Sequence, residues 1–458
     1  MTRLAFLRRA RVRVPLALLL LGAGALAPVP AAGSEHVPPA KPHDPLQGME
    51  PTGRIPKVVL PPDLPEPARW RYIPEGRIKP GNIFERFLVS SFIAPQLFFD
   101  EDIGAGAGIA LTDIDFRSQR RREFLGAFVT YTSEGQQRYR LIWQRWLHHR
   151  DLPDGGVVLE ERSLARAVAG YEKTLTRRFF GLGPDTPPGA ETSYTDEFWD
   201  LSLRGDFALP GAGDDWVASL GMRGEHHNLG PGHVSDRPTT DQVFPELFDA
   251  GDDWDALTLS AGLRYDTRDS QHQPYGGWRV GLFVDAPVWQ STGDVGAVIT
   301  AYANLAIRVP PLLHDGGDRE EENPPTDTLA FGLHVETALG ELPYYALPSL
   351  GGSQTLRGYI NNRFTDDSAW HAVAEYRFWV IPRGFWLTQR IRVERVGLAL
   401  FAEAGTVAES LEALPDARIH TSWGMGLRLT FERTALFRVD VGFSGEGPNF
   451  TAGFGVSF

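Results

Sequence analysis

The chain closes with NFTAGFGVSF, residues 449–458, and this decapeptide limits the fold more than any other stretch. Successive side chains of an extended strand point to opposite sides. Phe450, Ala452, Phe454, Val456 and Phe458 therefore share one face, and Thr451, Gly453, Gly455 and Ser457 the other. One face is aromatic and apolar, the other small and polar. The same alternation recurs upstream. Trp278, Val280, Leu282 and Val284 alternate with Arg279, Gly281, Phe283 and Asp285, and Leu257, Leu259 and Leu263 with Thr258, Ser260 and Arg264. Trp423, Met425 and Leu427 alternate with Gly424, Gly426 and Arg428, and Phe437, Val439 and Val441 with Arg438, Asp440 and Gly442. In a soluble sandwich the apolar face would be the core. In a transmembrane barrel it meets lipid while the polar face lines a wet lumen, which suits mid-strand charges better. Segments of this kind start near residues 91, 104, 123, 137, 156, 192, 216, 255, 278, 295, 328, 369, 397, 420, 435 and 449. That is about sixteen strands, an even number as an antiparallel bacterial barrel requires. The fold expected is all-β, a transmembrane antiparallel β-barrel over residues 91–458.

The N-terminal residues bear on the compartment. Arg3, Arg8, Arg9, Arg11 and Arg13 precede the apolar run LALLLLGAGALA, and Ala31 and Gly33 are placed for cleavage, so residues 1–33 read as a secretory signal peptide. Without them the chain has 40 basic and 58 acidic residues, a net charge of −18. So acidic a chain is a poor partner for nucleic acid, whose binding rests on cations that neutralise phosphate. Cysteine is absent, which excludes a disulfide framework, a thiolate metal site and a lipoprotein anchor. No later stretch offers the ~20 apolar residues of a membrane-spanning helix. Residues 34–90 are dense in proline and read as an extended or disordered periplasmic linker.

The stretch LGGSQTLRGYINNRF, residues 350–364, is too polar for a membrane strand and too apolar for a solvated loop. Its LRGY (Leu356, Arg357, Gly358, Tyr359), preceded by Gly351 and Gly352, resembles the VRGF/Y motif of the BamA/TamA-type outer-membrane assembly superfamily, the bacterial surface antigens. The strand count puts it between the eleventh and twelfth strands, on the sixth extracellular loop, where that family carries its motif. AEYRFWV resembles the family's strand with a glutamate before an aromatic residue and an arginine, and places Glu375 there; LALFAEAGTV resembles its D-x-G-x-V strand, with Glu403 at the aspartate position. Parity turns both carboxylates inward. YDTRDSQHQPYGGW, residues 265–278, resembles a periplasmic turn of the family, and FFGLGPDTPPGAETSY, residues 179–194, an earlier extracellular loop. The resemblance covers nearly all of 91–458. It implies that the motif loop folds into the lumen and that Arg357 meets Glu375 and Glu403. Residues 34–90 leave no room for the POTRA domains of the best-known members.

The seam where a barrel of this kind closes would join NFTAGFGVSF to SSFIAPQLFF, residues 90–99. Pro95 lacks an N–H, and Gly453 and Gly455 add no packing, so the seam residues Pro95, Gly453, Gly455 and Phe458 define two weak edges. Lateral opening at the seam is what the resemblance implies for function.

Other stretches carry weaker signals. GAGAGIA, residues 104–110, is better explained by glycines on a lumen face than by phosphate binding. GFSGEG, residues 442–447, lacks the spacing of a nucleophile elbow. His226, His227 and His233 read as solvated residues of an outer loop rather than metal ligands. The acidic run FPELFDAGDDWDA, residues 244–256, reads as a solvated loop, with divalent bridging to lipopolysaccharide an alternative. No catalytic constellation, metal site or cofactor is expected. Two functions stay open. The resemblance implies insertion or translocation of outer-membrane proteins or lipids, with nascent outer-membrane proteins, lipid and lipopolysaccharide as partners. The alternative is a passive channel or structural surface protein.

Overall fold

The computed structural model describes residues 53–73, 91–100, 104–113, 115–153, 155–248, 253–317, 320–386, 392–431 and 435–458. The segment read as a signal peptide and most of the proline-rich stretch lie outside these residues.

Sixteen strands run in chain order: β1 Ser91–Asp100, β2 Gly104–Asp113, β3 Glu123–Thr132, β4 Gln137–Trp146, β5 Leu164–Phe179, β6 Thr192–Leu209, β7 Trp216–Pro231, β8 Asp253–Asp266, β9 Gly277–Gln290, β10 Gly296–Val309, β11 Asp327–Gly340, β12 Ser368–Ile381, β13 Arg392–Ala408, β14 His420–Phe431, β15 Ala435–Ser444 and β16 Gly447–Phe454. Each is antiparallel to its sequence neighbour, and the ladders form one continuous barrel sheet. β1 and β16 lie side by side at the seam. Among the described residues no ladder joins them.

Burial follows the alternation of the sequence. Leu220, Met222, Leu259, Leu263, Val280, Leu282, Leu400 and Met425 are exposed on the outer wall, while Thr258, Ser422, Arg428, Arg438 and Asp440 are buried inside. Tryptophans mark both rims. At the end where β1 begins, Trp216 and Trp278 flank Tyr265 with ring centroids 5.1 Å apart on either side. Trp289 and Trp423 stand exposed toward the other end. Indole rings at two levels around an apolar band are the signature of membrane interfaces. Among the described residues no helix is long and apolar enough to span a membrane.

The structure departs from the sequence reading at three places in the wall. The fifth strand begins at Leu164, not near 156, because Val157–Glu160 belongs to a separate three-stranded sheet with Trp70–Ile73 and His149–Asp151. All four of its residues are buried, so their alternation carries no inside-outside meaning. The thirteenth begins at Arg392, not near 397, because its charged start extends past the apolar band. The third concerns Phe458. Phe450 is exposed as the alternation requires, but β16 stops at Phe454, and Gly455 takes φ +79°. The chain turns there, so the Phe458 ring ends inside, 5.1 Å from the Arg377 guanidinium and against Gly332.

The small sheet also engages part of the stretch read as a linker. Its core is Ile73, Val157 and Leu159, with Trp146 packed against it. Arg69 donates to the carbonyls of Thr267 (3.1 Å) and Arg268 (2.7 Å) in the β8–β9 turn and to Asp215 (2.8 Å). Further upstream, Lys57 N donates to Glu320 O and Glu322 N to Ile55 O. The segment before the barrel thus rests on the turns at the end where β1 begins.

His149 of this sheet gives a pH dependence. Burial lowers its pKa below 6.5, helped by Arg122 and Arg120 and opposed by Asp151 and by the Arg120 carbonyl at 2.8 Å. A histidine kept neutral in the folded state contributes stability that is present above pH 6.5 and lost as pH falls toward its folded pKa. Hydrogen exchange over residues 149–160, corrected for intrinsic rates, should show weaker protection at pH 5.5 than at 7.5 in the wild type. His149→Gln should lose that difference; an unchanged pH dependence would assign it to another group.

Candidate functional site

The connection between β11 and β12 folds back among the inward side chains. Its two short strands, Ser349–Leu350 and Phe364–Thr365, pair and present residues 351–363 as a tip. Gly351 and Gly352 take φ of +118° and +94°, values that a side chain resists. Gly352 N then donates to Tyr359 O (2.9 Å) and Tyr359 N to Leu356 O (2.8 Å). Leu356 also has positive φ, +41°, a conformation that costs a non-glycine ~1–3 kcal/mol and needs support from its surroundings. The support is packing: Leu356 is fully buried with Leu350, Tyr359, Phe364, Ala369 and Val407.

That turn delivers Arg357 to a cluster of carboxylates. Its backbone N donates to Glu403 Oε2 (2.6 Å) and its Nε to Glu403 Oε1 (2.9 Å). Its Nη1 donates to Glu375 Oε2 (2.8 Å) and lies 3.5 Å from Asp440 Oδ2. The guanidinium carbon sits 3.5 Å from the centre of the Phe401 ring. Arg357, Glu375, Glu403 and Asp440 have no exposed side-chain surface beyond 1 %. A charge so buried is tolerable only with near-complete pairing. The carboxylates meet that condition through further donors. Ser422 Oγ donates to Glu403 (2.7 Å), Arg377 Nε to Glu375 (2.7 Å), and Arg428 and Arg438 to Asp440 (2.6 and 2.7 Å). Four arginines and three acids, from the loop and from β12 to β15, form one network.

Glycine makes the approach sterically open. A Cβ on Gly442 of β15 would overlap the Arg357 carbonyl, and one on Gly358 would lie 2.7 Å from the Phe443 backbone and 2.8 Å from Ser422 Cβ. The loop therefore lies directly on the inner wall of β14 and β15.

The loop is held at other points too. Tyr344 packs with Phe179, Tyr194 and Leu229 of β5 to β7. Arg363 stacks on Phe180 and Phe364 at 4.4 and 4.5 Å. It donates to both Glu446 oxygens (3.0 and 2.8 Å) and to Thr186 Oγ1 and O (3.0 and 2.7 Å). Gly183 N donates to Thr365 O (3.0 Å), so the β5–β6 connection touches the same segment.

The structure thus brings Leu356, Arg357, Gly358, Tyr359, Glu375 and Glu403 into one site. The seam residues are scattered by comparison. Pro95 lies inside β1, opposite Ile109 of β2; Gly453 faces Arg438 across the β15–β16 ladder; Gly455 and Phe458 follow the last strand. Asp440, Arg428 and Arg438 were visible in the sequence only as inward charges, and Arg377 only as the arginine that follows Glu375 and Tyr376; nothing local there says that they converge on Arg357. His226 and His227 lie on β7, not in a loop, and turn to Asp255 (2.8 Å) and Asp196 (2.9 Å), while His233 lies near Thr195 (3.4 Å).

Comparisons with known proteins add three findings. The Omp85 superfamily domain matches residues 203–458. No individual curated protein sequence matches. Among solved structures the chain resembles BamA from Haemophilus ducreyi lacking POTRA domains 1–3, with 14% identity, TM-score 0.50, and 80% of this chain and 70% of that one covered. It also resembles CdiB from Escherichia coli, with 10% identity, TM-score 0.50 and 79% and 63% covered.

Arg357→Ala would leave Glu403 without its guanidinium partner and remove one of the cations around Glu375 and Asp440. Removing one partner of a buried pair typically costs ~3–5 kcal/mol. Limited proteolysis should then cut within 341–367, and the unheated barrel should lose its compact gel mobility at lower temperature. Arg357→Lys should rescue only part, since an ammonium cannot bridge Glu403 and Glu375 with a fixed fork. Wild-type behaviour of Arg357→Ala in both assays would show that the anchor does not hold the loop.

Proposed function

Since the chain belongs to the Omp85 superfamily, whose barrels are outer-membrane proteins of Gram-negative bacteria, we propose that it is an outer-membrane barrel that inserts or translocates proteins or lipids. The observation that supports this reading best is the motif loop anchored inside the barrel. A passive pore is served by an open lumen. Here residues 349–365 occupy the lumen along β12 to β15, pinned by the Arg357 network and by Arg363. A lumen narrowed in this way along one side, with a cavity left between the loop and β6 to β12, suits handling of clients at the wall, and the junction of β1 with β16 is the part of the wall for which no ladder is described. The proposed clients are nascent outer-membrane proteins or lipids, taken up at the seam beside lipid and lipopolysaccharide. The same reading gives residues 1–33 the role of export signal and makes the protein a non-enzymatic one.

Two experiments test it. Depletion of the protein should lower the outer-membrane level of a subset of barrel proteins or alter lipid asymmetry. Cysteines introduced in β1 and β16 can be joined without competition, because the chain has none of its own. The crosslinked barrel should fold and fail in cells, with activity restored by reduction. Full activity of the crosslinked form would remove lateral opening from the mechanism. An unchanged outer membrane on depletion, together with steady ion conductance of the purified barrel, would establish the channel alternative.

A further inference from the structure

The last hairpin is bound to the motif loop by a second set of contacts that do not use the Arg357 side chain. Asn449, on the inner face of β16, is 4 % exposed. Its Nδ2 donates to the carbonyls of Arg357 (3.0 Å) and Tyr359 (2.7 Å). At the hairpin tip Glu446 takes the Arg363 guanidinium. At the other end of β16, Gln354 turns its amide so that nitrogen donates to Ser457 O (2.9 Å) and oxygen accepts from Arg438 Nη2 (3.1 Å). Arg438 Nη2 also donates to Ser353 O (2.6 Å). Between these points Gly442 and Gly358 let the two backbones touch. The loop therefore grips β15 and β16 along their length from inside the barrel.

We propose that Asn449 is a positioning residue that clamps the seam strand β16 to the motif loop, so that the loop, through its backbone carbonyls, sets how far the seam opens. This rests on the reading of the seam as the working edge of the barrel. It goes beyond the Arg357 anchor, which fixes the loop to β12, β13 and β15 and leaves β16 aside. The chemistry suits a releasable clamp. One neutral amide makes two hydrogen bonds to backbone carbonyls, and breaking them moves no charge into a dry site. The Arg357 network would require several ion pairs to part.

Asn449→Asp tests the clamp. It keeps the shape of the side chain but replaces both donors with an acceptor facing two carbonyls. Spin labels on Glu134→Cys and Gly445→Cys report the gap, because both positions are exposed turn residues at the same end of the barrel, on either side of the seam. In the purified protein the longer-distance population should rise on the order of tenfold when two buried carbonyls lose the Asn449 donor. Protease resistance of 341–367 should stay that of the wild type. Glu446→Gln, at the tip, should shift the same population in the same direction and serves where Asn449→Asp fails to fold. A distance distribution equal to wild type in both variants overturns the proposal. So does a loss of loop protection equal to that of Arg357→Ala, since Asn449 would then act on the loop's own fold. The measurement uses no client, so it stands or falls separately from insertion activity.

Discussion

A guanidinium enclosed in a barrel with no exposed surface is the constraint on which the rest of the structure depends. Arg357 reaches carboxylates on β12, β13 and β15: its Nε donates to Glu403, and its Nη1 faces both Glu375 and Asp440. Three acids exceed what one arginine neutralises, so Arg377, Arg428 and Arg438 complete the set. These residues sit on four consecutive strands. A one-residue slip of any strand would turn its charge to the lipid face, since the side-chain period is two. The anchor and the strand register therefore specify each other. The loop can dock only on a correctly paired wall, and mispairing would place an ion at membrane depth on the wrong side.

That dependence explains what could be read in the sequence and what could not. The period-two alternation made the wall legible: the starts of β2, β3, β4, β6, β7, β14 and β15 stand where the pattern put them. Leu356 to Tyr359, Glu375 and Glu403 were legible because the residues around them resemble a known motif set. Asp440 was legible as an inward charge on β15 but not as a partner of Arg357, because cross-strand register over distant positions leaves no local trace. Phe458 misled for a related reason. A run of alternating residues does not announce that the strand stops, and only the positive φ of Gly455 shows the turn. Val157–Glu160 misled in the opposite sense, since an apolar run buried on both faces fits any sheet. Its partner Trp70–Ile73 lies in a proline-rich stretch whose composition gives no hint of a strand.

The two ends of the barrel are tied differently. At the end where β1 begins, turns are stitched by arginines to backbone carbonyls: Arg69 to Thr267 and Arg268, and Arg162 to Asp266. Such contacts hold turns without specifying any one side-chain partner. At the other end aromatic packing dominates, with Tyr344 against Phe179 at 4.8 Å and Phe364 stacked on His420 at 3.7 Å. The motif loop spans that end, from the cluster on β5 to β7 to the cluster on β12 to β15. It is a crossbrace, and its two footings are chemically distinct: phenols and phenyl rings on one side, ion pairs on the other.

The wall itself is uneven, and the brace stands where it is thinnest. β5, β6 and β7 have 16, 18 and 16 residues, while β15 has 10 and β16 has 8. About 9–11 residues are needed to cross the apolar core of a membrane at the usual tilt, so β16 is short even for that. Ladder hydrogen bonds scale with strand length, and a short strand at a seam has few of them on one side and none described on the other. In most sheets an edge of this kind is a liability managed by covering it or by charge. Here the inner face of the edge strand is covered by the motif loop, which supplies buried polar contacts that the ladder lacks. The same loop that needs the wall to pair its arginine is what holds the wall's last strand in place, so the barrel's least supported strand and its most constrained loop are mutually dependent.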